Sequence, residues 1–416
     1  MGRTIIEKII QAHTQEEARA GHIVWMDLDV RSARDFGGPN VVKNYEREYN
    51  DQPLADSAKT FFTFDLCAPA CTLRYADNQQ ICRDFARKHG VKVFDVDCGI
   101  GTHVLLEEGL ALPNSTVAGT DSHMNILGAI GCFGQGMGDV DVTFAFRTGR
   151  TWFEVPRTVK IILQGRLSRP TSAKDLTLYL LRELGTQKLA LKSAEFYGEA
   201  GADLSLSGRL TFCSMITEMA GIIGFIPEAG EEARKEIESY AGIPYSPFLA
   251  DDDADYAEVV EVNVDGLPPQ VAAPPSPTNV KPVSELRGLK VNSGFIGSCT
   301  NGRVEDLAEA ARILKGRKVH PGVMLKVVPA TRRVYEELLR QGLLHDLFES
   351  GAIIINPGCG GCAEGHVGLT GRGEVQISTG NRNFPGKQGK GQTYLASPAI
   401  VAASCVAGEI ASPEDI

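Results

Sequence analysis

Beyond residue 290 the chain repeats one pattern. Val291–Ile296 reads as a buried strand and Val304–Leu314 as a helix. Val323–Val328 is again a strand, Arg332–Gln341 a helix and Ala352–Asn356 a strand. This strand–helix–strand–helix–strand order predicts a parallel sheet with crossover helices, an α/β fold. Such sheets place ligands in the loops beyond the carboxyl ends of their strands. Two loops of that kind carry cysteines here. Cys299 lies in GSCTN, and Cys359 and Cys362 lie in PGCGGC.

The rest of the chain alternates in the same way. Residues 4–19 predict an amphipathic helix, His22–Val30 a strand, Asn78–His89 a helix, Lys92–Val96 a short strand, and Thr116–Gly119 a strand leading into Asp121. The glycines of Gly128–Gly138 permit close backbone packing. A second block opens with the alternating VPRTVKIILQGRL and a helix over Ala173–Leu184, with Thr171 and Ser172 as capping candidates. Pro268–Pro282 holds six prolines and almost no periodicity, so it reads as a linker. The expected units are 1–156, 157–268, a proline-rich linker over 269–285, and 286–416.

With 416 residues the chain exceeds a single core, and 43% hydrophobic with 23% charged residues is ordinary globular composition. No apolar run reaches the roughly 20 residues that span a bilayer, so no membrane association is expected. Glu7 interrupts the apolar N-terminus and no small-residue cleavage site follows, so a cytoplasmic location is expected. A net charge of −10 argues against a nucleic-acid face, though not against a small anionic substrate in a locally positive cleft. In a cytosolic chain, ten cysteines read as metal ligands, catalytic thiols or buried small side chains.

Cys359 and Cys362, with glycines between them, can turn both sulfurs toward one metal, and Cys299 can join them from another strand end. Taken alone, the spacing also admits a redox C-x-x-C, two buried thiols, or a zinc site completed by His366. A cubane with one iron left open is a further possibility.

The segments GTDSH (119–123), GSCTNGRVEDL (297–307), PGCGGC (357–362) and STGNRNFPGKQG (378–389) resemble the aconitase superfamily. They look most like the large subunit of its two-subunit dehydratase and homoaconitase branch. The similarity runs from about residue 5 to about residue 412. It implies three aconitase-like α/β/α domains around a central cleft and a [4Fe–4S] cluster on Cys299, Cys359 and Cys362. The fourth iron would act as a Lewis acid on the substrate hydroxyl. The resemblance also implies substrate contacts from Ser122, Asn381 and Arg382, a cluster-loop role for Asn301, and a catalytic Asp121–His123 pair oriented by Glu218.

The sequence departs from the family pattern in one region. Ala33, Arg34 and Asp35 stand where a GHD or MQD motif is usual, and Asp65 and Leu66 replace an Asp-His pair. Thr102 aligns with a further histidine, for which the adjacent His103 could substitute. Ser214 stands for an asparagine and Lys387 for an arginine. Arg34 and Lys387 are then expected to bind substrate carboxylates, with Asp65 and His103 in proton handling.

The implied activity is an iron–sulfur hydro-lyase or isomerase. It would act on a 2-hydroxy-polycarboxylate of the isopropylmalate or homocitrate type, with a separate small subunit supplying the serine base. A different hydroxy acid, or a non-catalytic cluster-bearing or RNA-binding relative, is the alternative.

Overall fold

The computed structural model describes residues 2–50, 52–362 and 368–416. Three sheets organise them, two wholly parallel and the third largely so. The first has five strands in the order Lys92–Phe94, Thr60–Thr63, Val30–Arg34, Thr116–Gly119 and Phe133–Gly136, all parallel. The second is also parallel: Ile223–Phe225, Ser193–Tyr197, Thr158–Gln164 and Glu258–Asn263. The third has seven strands. Its parallel part runs Gln392–Leu395, Val375–Ser378, Ser293–Ile296, Met324–Val327 and Ile353–Ile354.

Strands covered on both faces should read as continuous apolar or small runs. Ser293–Ile296 is buried at every position, as are Thr60–Thr63 and Thr116–Gly119. Crossover helices cover them. Val304–Leu314 begins with the Arg303 N–H donating to the Asp306 carboxylate at 3.0 Å, and Ala173–Leu184 with a capping box between Ser172 and Asp175. Among the described residues, no helix is long and apolar enough to cross a membrane.

The fold differs from expectation in three places. The opening helix is Ile5–Ala12 rather than 4–19: it closes in a tight turn in which the His13 N–H donates to the Ile10 carbonyl at 2.9 Å. The strand expected over His22–Val30 is two. Ile23–Asp27 pairs antiparallel with Arg150–Glu154, and Val30 starts the central strand of the first sheet. Between them Asp29 changes direction by accepting the backbone N–H of Thr116.

The third correction concerns the segment 269–285 taken as a linker. Gln270–Ala272 and Val280–Pro282 pair antiparallel, and Ala272 pairs with Leu395, so the segment forms the edge of the third sheet. Val271 and Ala272 are fully buried. Proline lacks a donor, yet an edge strand needs donors on one side only.

His13 supplies a pH-sensitive tie between the first helix and the first sheet. Its Nδ1 lies 2.8 Å from the Ile9 carbonyl and its Nε2 2.8 Å from Asp29 Oδ2. Both partners only accept, so the protonated ring, with a hydrogen on each nitrogen, satisfies both of them. Burial pushes its pKa down, but Asp29 and the Ile9 carbonyl outweigh burial and raise it. Asp29 is lowered, because His13 and Thr116 outweigh its own burial. The His13 contribution is therefore full below about pH 6.5 and lost as pH rises through the raised folded value. The Asp29 contribution is present above about pH 4 and lost on acidification. Thermal unfolding of the native chain and of H13Q, followed from pH 5.5 to 9, should show the stability difference shrinking as pH rises. A difference that stays constant would contradict this assignment.

Candidate active site

Residues at the carboxyl ends of strands in two sheets face one another. Arg34 closes Val30–Arg34, Asp65 follows Thr60–Thr63 and Asp121 follows Thr116–Gly119. From the third sheet, Cys299 follows Ser293–Ile296, Cys359 and Cys362 follow Ile353–Ile354, and Asn381 follows Val375–Ser378. Parallel strand ends leave backbone groups free to shape loops there, which is why α/β sheets bind ligands at this edge.

The loop carrying Cys299 is bent sharply. Ser298 adopts a left-handed φ of 71°, a conformation costly for a residue with a Cβ. It is held by hydrogen bonds from its own hydroxyl to Thr300 Oγ1 at 2.7 Å and from Gly297 N–H to Thr379 Oγ1 at 2.9 Å. The Thr300 hydroxyl donates to Asn381 Oδ1 at 3.0 Å. That oxygen lies 3.7 Å from the Cys299 sulfur and 3.8 Å from the Cys362 sulfur, so the two thiols flank one amide. Asn301 donates instead to Thr211 and Asp306, at 3.2 and 2.9 Å, and braces the loop from behind.

Cys359 faces the first sheet. Its N–H donates to the Asp65 carbonyl at 3.0 Å, and Arg34 Nη2 reaches its sulfur at 2.9 Å. The Arg34 guanidinium also donates through Nε and Nη2 to Asp65 Oδ1, at 2.9 and 2.6 Å, and its Nη1 lies 3.2 Å from Asp121 Oδ1. Burial and repulsion from neighbouring carboxylates push Asp65 up to about 7 despite Arg34. Asp121 is lowered, since Arg34 and His123 outweigh its burial.

His123 Nε2 lies 3.1 Å from Glu218 Oε1, and its Nδ1 lies 3.4 Å from the Ser122 hydroxyl. A carboxylate accepts, so Nε2 carries a hydrogen toward Glu218, and Nδ1 faces the Ser122 hydroxyl. Arg382 Nε grips both Glu218 oxygens, at 2.8 and 3.0 Å. His123 and Arg382 thereby outweigh burial and hold the Glu218 carboxyl below its usual range.

Other expected residues take different places. Asp35 is fully buried and accepts the N–H groups of Leu66 and Cys67 and the Gln79 amide, so it shapes the loop after Asp65. Arg34 is thus paired with Asp65 and Asp121, and most of its N–H groups are used within the protein. The two-pronged grip on a substrate carboxylate expected of it is not available in this arrangement. His103 Nε2 donates to the Cys299 carbonyl at 2.9 Å, and burial drives its pKa down to about 3. A neutral, buried ring tied to a carbonyl braces the cysteine loop. Lys387 is half-buried and makes no ion pair among the described residues. His366 lies outside the described residues.

Lys174 was not legible as a site residue. It sits in the first turn of Ala173–Leu184, completely buried, and donates to the Thr379 and Gly380 carbonyls at 3.1 and 2.8 Å. No carboxylate pairs with it among the described residues. Burial lowers its pKa to about 8, opposed by the thiols of Cys299 and Cys362 and by Glu218. Its place in the sequence, beside a capping aspartate, gave only the signal of a helix start.

The donor set can be tested against a cluster. Among the described residues no three His, Cys, Asp or Glu side chains converge tightly enough for a single metal ion. A cubane asks for something else, since each thiolate takes a different corner. Burial pushes the Cys299 and Cys359 thiols up, so three thiolates in one place need cations beside them. Arg34 and Lys174 supply those cations. The residues fit an anionic, thiolate-held group better than a lone zinc ion.

The sequence model of the "Aconitase family (aconitate hydratase)" matches residues 7–408. A probable 3-isopropylmalate dehydratase large subunit from Methanothermobacter thermautotrophicus is 41% identical, over 99% of each chain. The 3-isopropylmalate dehydratase large subunit of Hydrogenobaculum sp. is 41% identical over 100% of this chain and 99% of its own. That of Thermoanaerobacter sp. is 39% identical over the full length of both.

Gly136 offers a test of the Asp121–His123 loop. A Cβ there would collide with the Asp121 carbonyl and lie 3.0 Å from Ser122 Cα, and backbone cannot rotate away. G136A should cost about 1–3 kcal/mol in denaturant unfolding, the usual range for overpacking. An unchanged unfolding midpoint would show that the loop is not held against this strand.

Proposed function

The chain belongs to the aconitase family of hydro-lyases, and from that premise we propose that it is the large subunit of a two-subunit, [4Fe–4S]-dependent enzyme of the 3-isopropylmalate dehydratase type. Its substrate would be a 2-hydroxy-polycarboxylate, dehydrated to the unsaturated acid and rehydrated at the adjacent carbon. The observation that carries the reading is the placement of three cysteines. Cys299 and Cys362 flank Asn381, and Cys359 lies against Arg34, beside a paired His123 and Glu218.

Cys299, Cys359 and Cys362 would hold the cluster, which supplies when bound a Lewis-acidic iron that makes hydroxide a tolerable leaving group. The protein's own part concerns protons and carboxylates. Glu218 fixes the hydrogen of His123 on Nε2, so Nδ1 is the nitrogen able to take or return a proton. Where Leu66 stands in place of a histidine, Asp65 remains as a proton-handling carboxyl, anchored by Gly101 N–H at 2.8 Å and by Arg34. Arg382 spends Nε on Glu218, which leaves its Nη groups for a substrate carboxylate. Lys387 is a second cation for the same purpose. Arg34 acts chiefly by positioning Asp65 and Asp121, with at most one Nη1 N–H turned to substrate.

The relatives named as large subunits support a separate small-subunit partner for this chain. The test is to reconstitute the chain anaerobically with such a subunit and follow the absorbance of the unsaturated acid across a panel of substituted malates. Turnover of at least one malate supports the reading; a cluster-loaded complex that turns over none would overturn it.

Two substitutions probe the roles. E218Q should lower kcat/KM by about 10–100-fold, the usual cost of losing a carboxylate that orients a histidine. R34K keeps the charge but loses the planar fork. It should lower kcat by about tenfold or more with KM within about twofold, as expected of a positioning residue. A raised KM with unchanged kcat would instead make Arg34 a substrate ligand.

A further inference from the structure

The loop that follows Asp65 carries a second pair of cysteines that the proposed chemistry does not use. Cys67 and Cys71 have their sulfurs 3.2 Å apart, and the Cys71 N–H lies 3.1 Å from the Cys67 sulfur. The two differ in setting. Cys67 is buried and fixed: its N–H donates to Asp35 at 3.2 Å, and its carbonyl accepts from the Gln79 amide at 2.8 Å. Cys71 is exposed, in a run from Cys71 to Arg74 in which every residue is exposed. One sulfur sits in the core and the other at the surface, already within 3.2 Å of each other.

From this juxtaposition we propose that Cys67 and Cys71 form a reversible dithiol–disulfide couple, oxidised by small disulfides of the glutathione class. Burial pushes the Cys67 thiol up to about 11, so the exposed Cys71 is the first to react. The Cys71 thiolate attacks one sulfur of the small disulfide, forming a mixed disulfide and releasing one thiolate. The Cys67 sulfur then attacks the Cys71 sulfur, its proton passes to solvent, and the second small thiol leaves. Two protein thiols and one disulfide thus become one intramolecular disulfide and two small thiols. Exposed pairs of this kind are the ones that remain labile in a reducing compartment.

The couple lies next to the candidate site. Asn356, three residues before Cys359, donates to the Ala68 carbonyl at 3.0 Å, and Asp65 stands two residues before Cys67. Its redox state can therefore be felt by the Asp65 loop.

The chain is well suited to a direct measurement, because trypsin releases residues 60–74 as a peptide holding Cys67 and Cys71 and no other cysteine. The full chain, purified anaerobically, is equilibrated with glutathione buffers of increasing oxidised share, denatured, alkylated and digested. The 60–74 peptide should lose both alkylation sites together and two hydrogen masses, and dithiothreitol should restore both. C71S should abolish this loss, and C67S should trap Cys71 as a glutathione adduct. The proposal is overturned if both cysteines stay alkylated at every ratio. It is equally overturned if the native chain carries glutathione on Cys71 while Cys67 is still alkylated.

Discussion

One guanidinium joins the two sheets that make the site. Arg34 ends a strand of the first sheet, and its nitrogens reach Asp65, Asp121 and the sulfur of Cys359 from the third. An arginine is suited to this because its planar fork meets several acceptors at once and it does not lose its charge when buried. Removing it outright would leave two buried carboxylates facing each other, a loss of the order of 3–5 kcal/mol for a broken buried pair. The rest of the geometry follows from this contact. Asp65 is fixed toward the cysteines, Asp121 toward His123, and His123 toward Glu218.

A second buried cation bears on the same electrostatic problem. Lys174 donates to the Thr379 and Gly380 carbonyls and so holds the backbone that presents Asn381 and Arg382. A buried ammonium whose partners among the described residues are two carbonyls and the Met215 sulfur is costly unless negative charge lies close by. Three thiolates and the group they hold would supply that charge. Arg34 touches the Cys359 sulfur, and Lys174 feels the thiols of Cys299 and Cys362, so each cation serves a different part of the cysteine set.

Much of this was legible in the sequence. The helices Ala173–Leu184 and Val304–Leu314 have the bounds that the sequence implied, and Ser172, one of the two capping candidates, caps the first. Cys299, Asp121 and Asn381 each follow a strand, and motif spacing placed the three at strand ends. Glu218 lies 3.1 Å from His123 although the two are 95 positions apart in sequence. What escaped is what depends on contacts across the fold. The prolines of 268–282 concealed two edge strands, since proline content is a local signal and edge pairing is not. The partners of Arg34 were missed because Asp35, its neighbour in sequence, points into the loop after Asp65, whereas Asp121 approaches from the adjacent strand. Lys174 looked like an ordinary residue of a helix start.

The central claim is that Cys299, Cys359 and Cys362 together hold one four-iron cluster. Iron and acid-labile sulfide per chain, after anaerobic reconstitution, measure it most directly. The account predicts about four of each per chain, with serine in place of any one of the three cysteines lowering that content, and serine at Cys67 or Cys71 leaving it unchanged. Full iron and sulfide in a chain lacking Cys299, or none in the native chain under the same conditions, would contradict it.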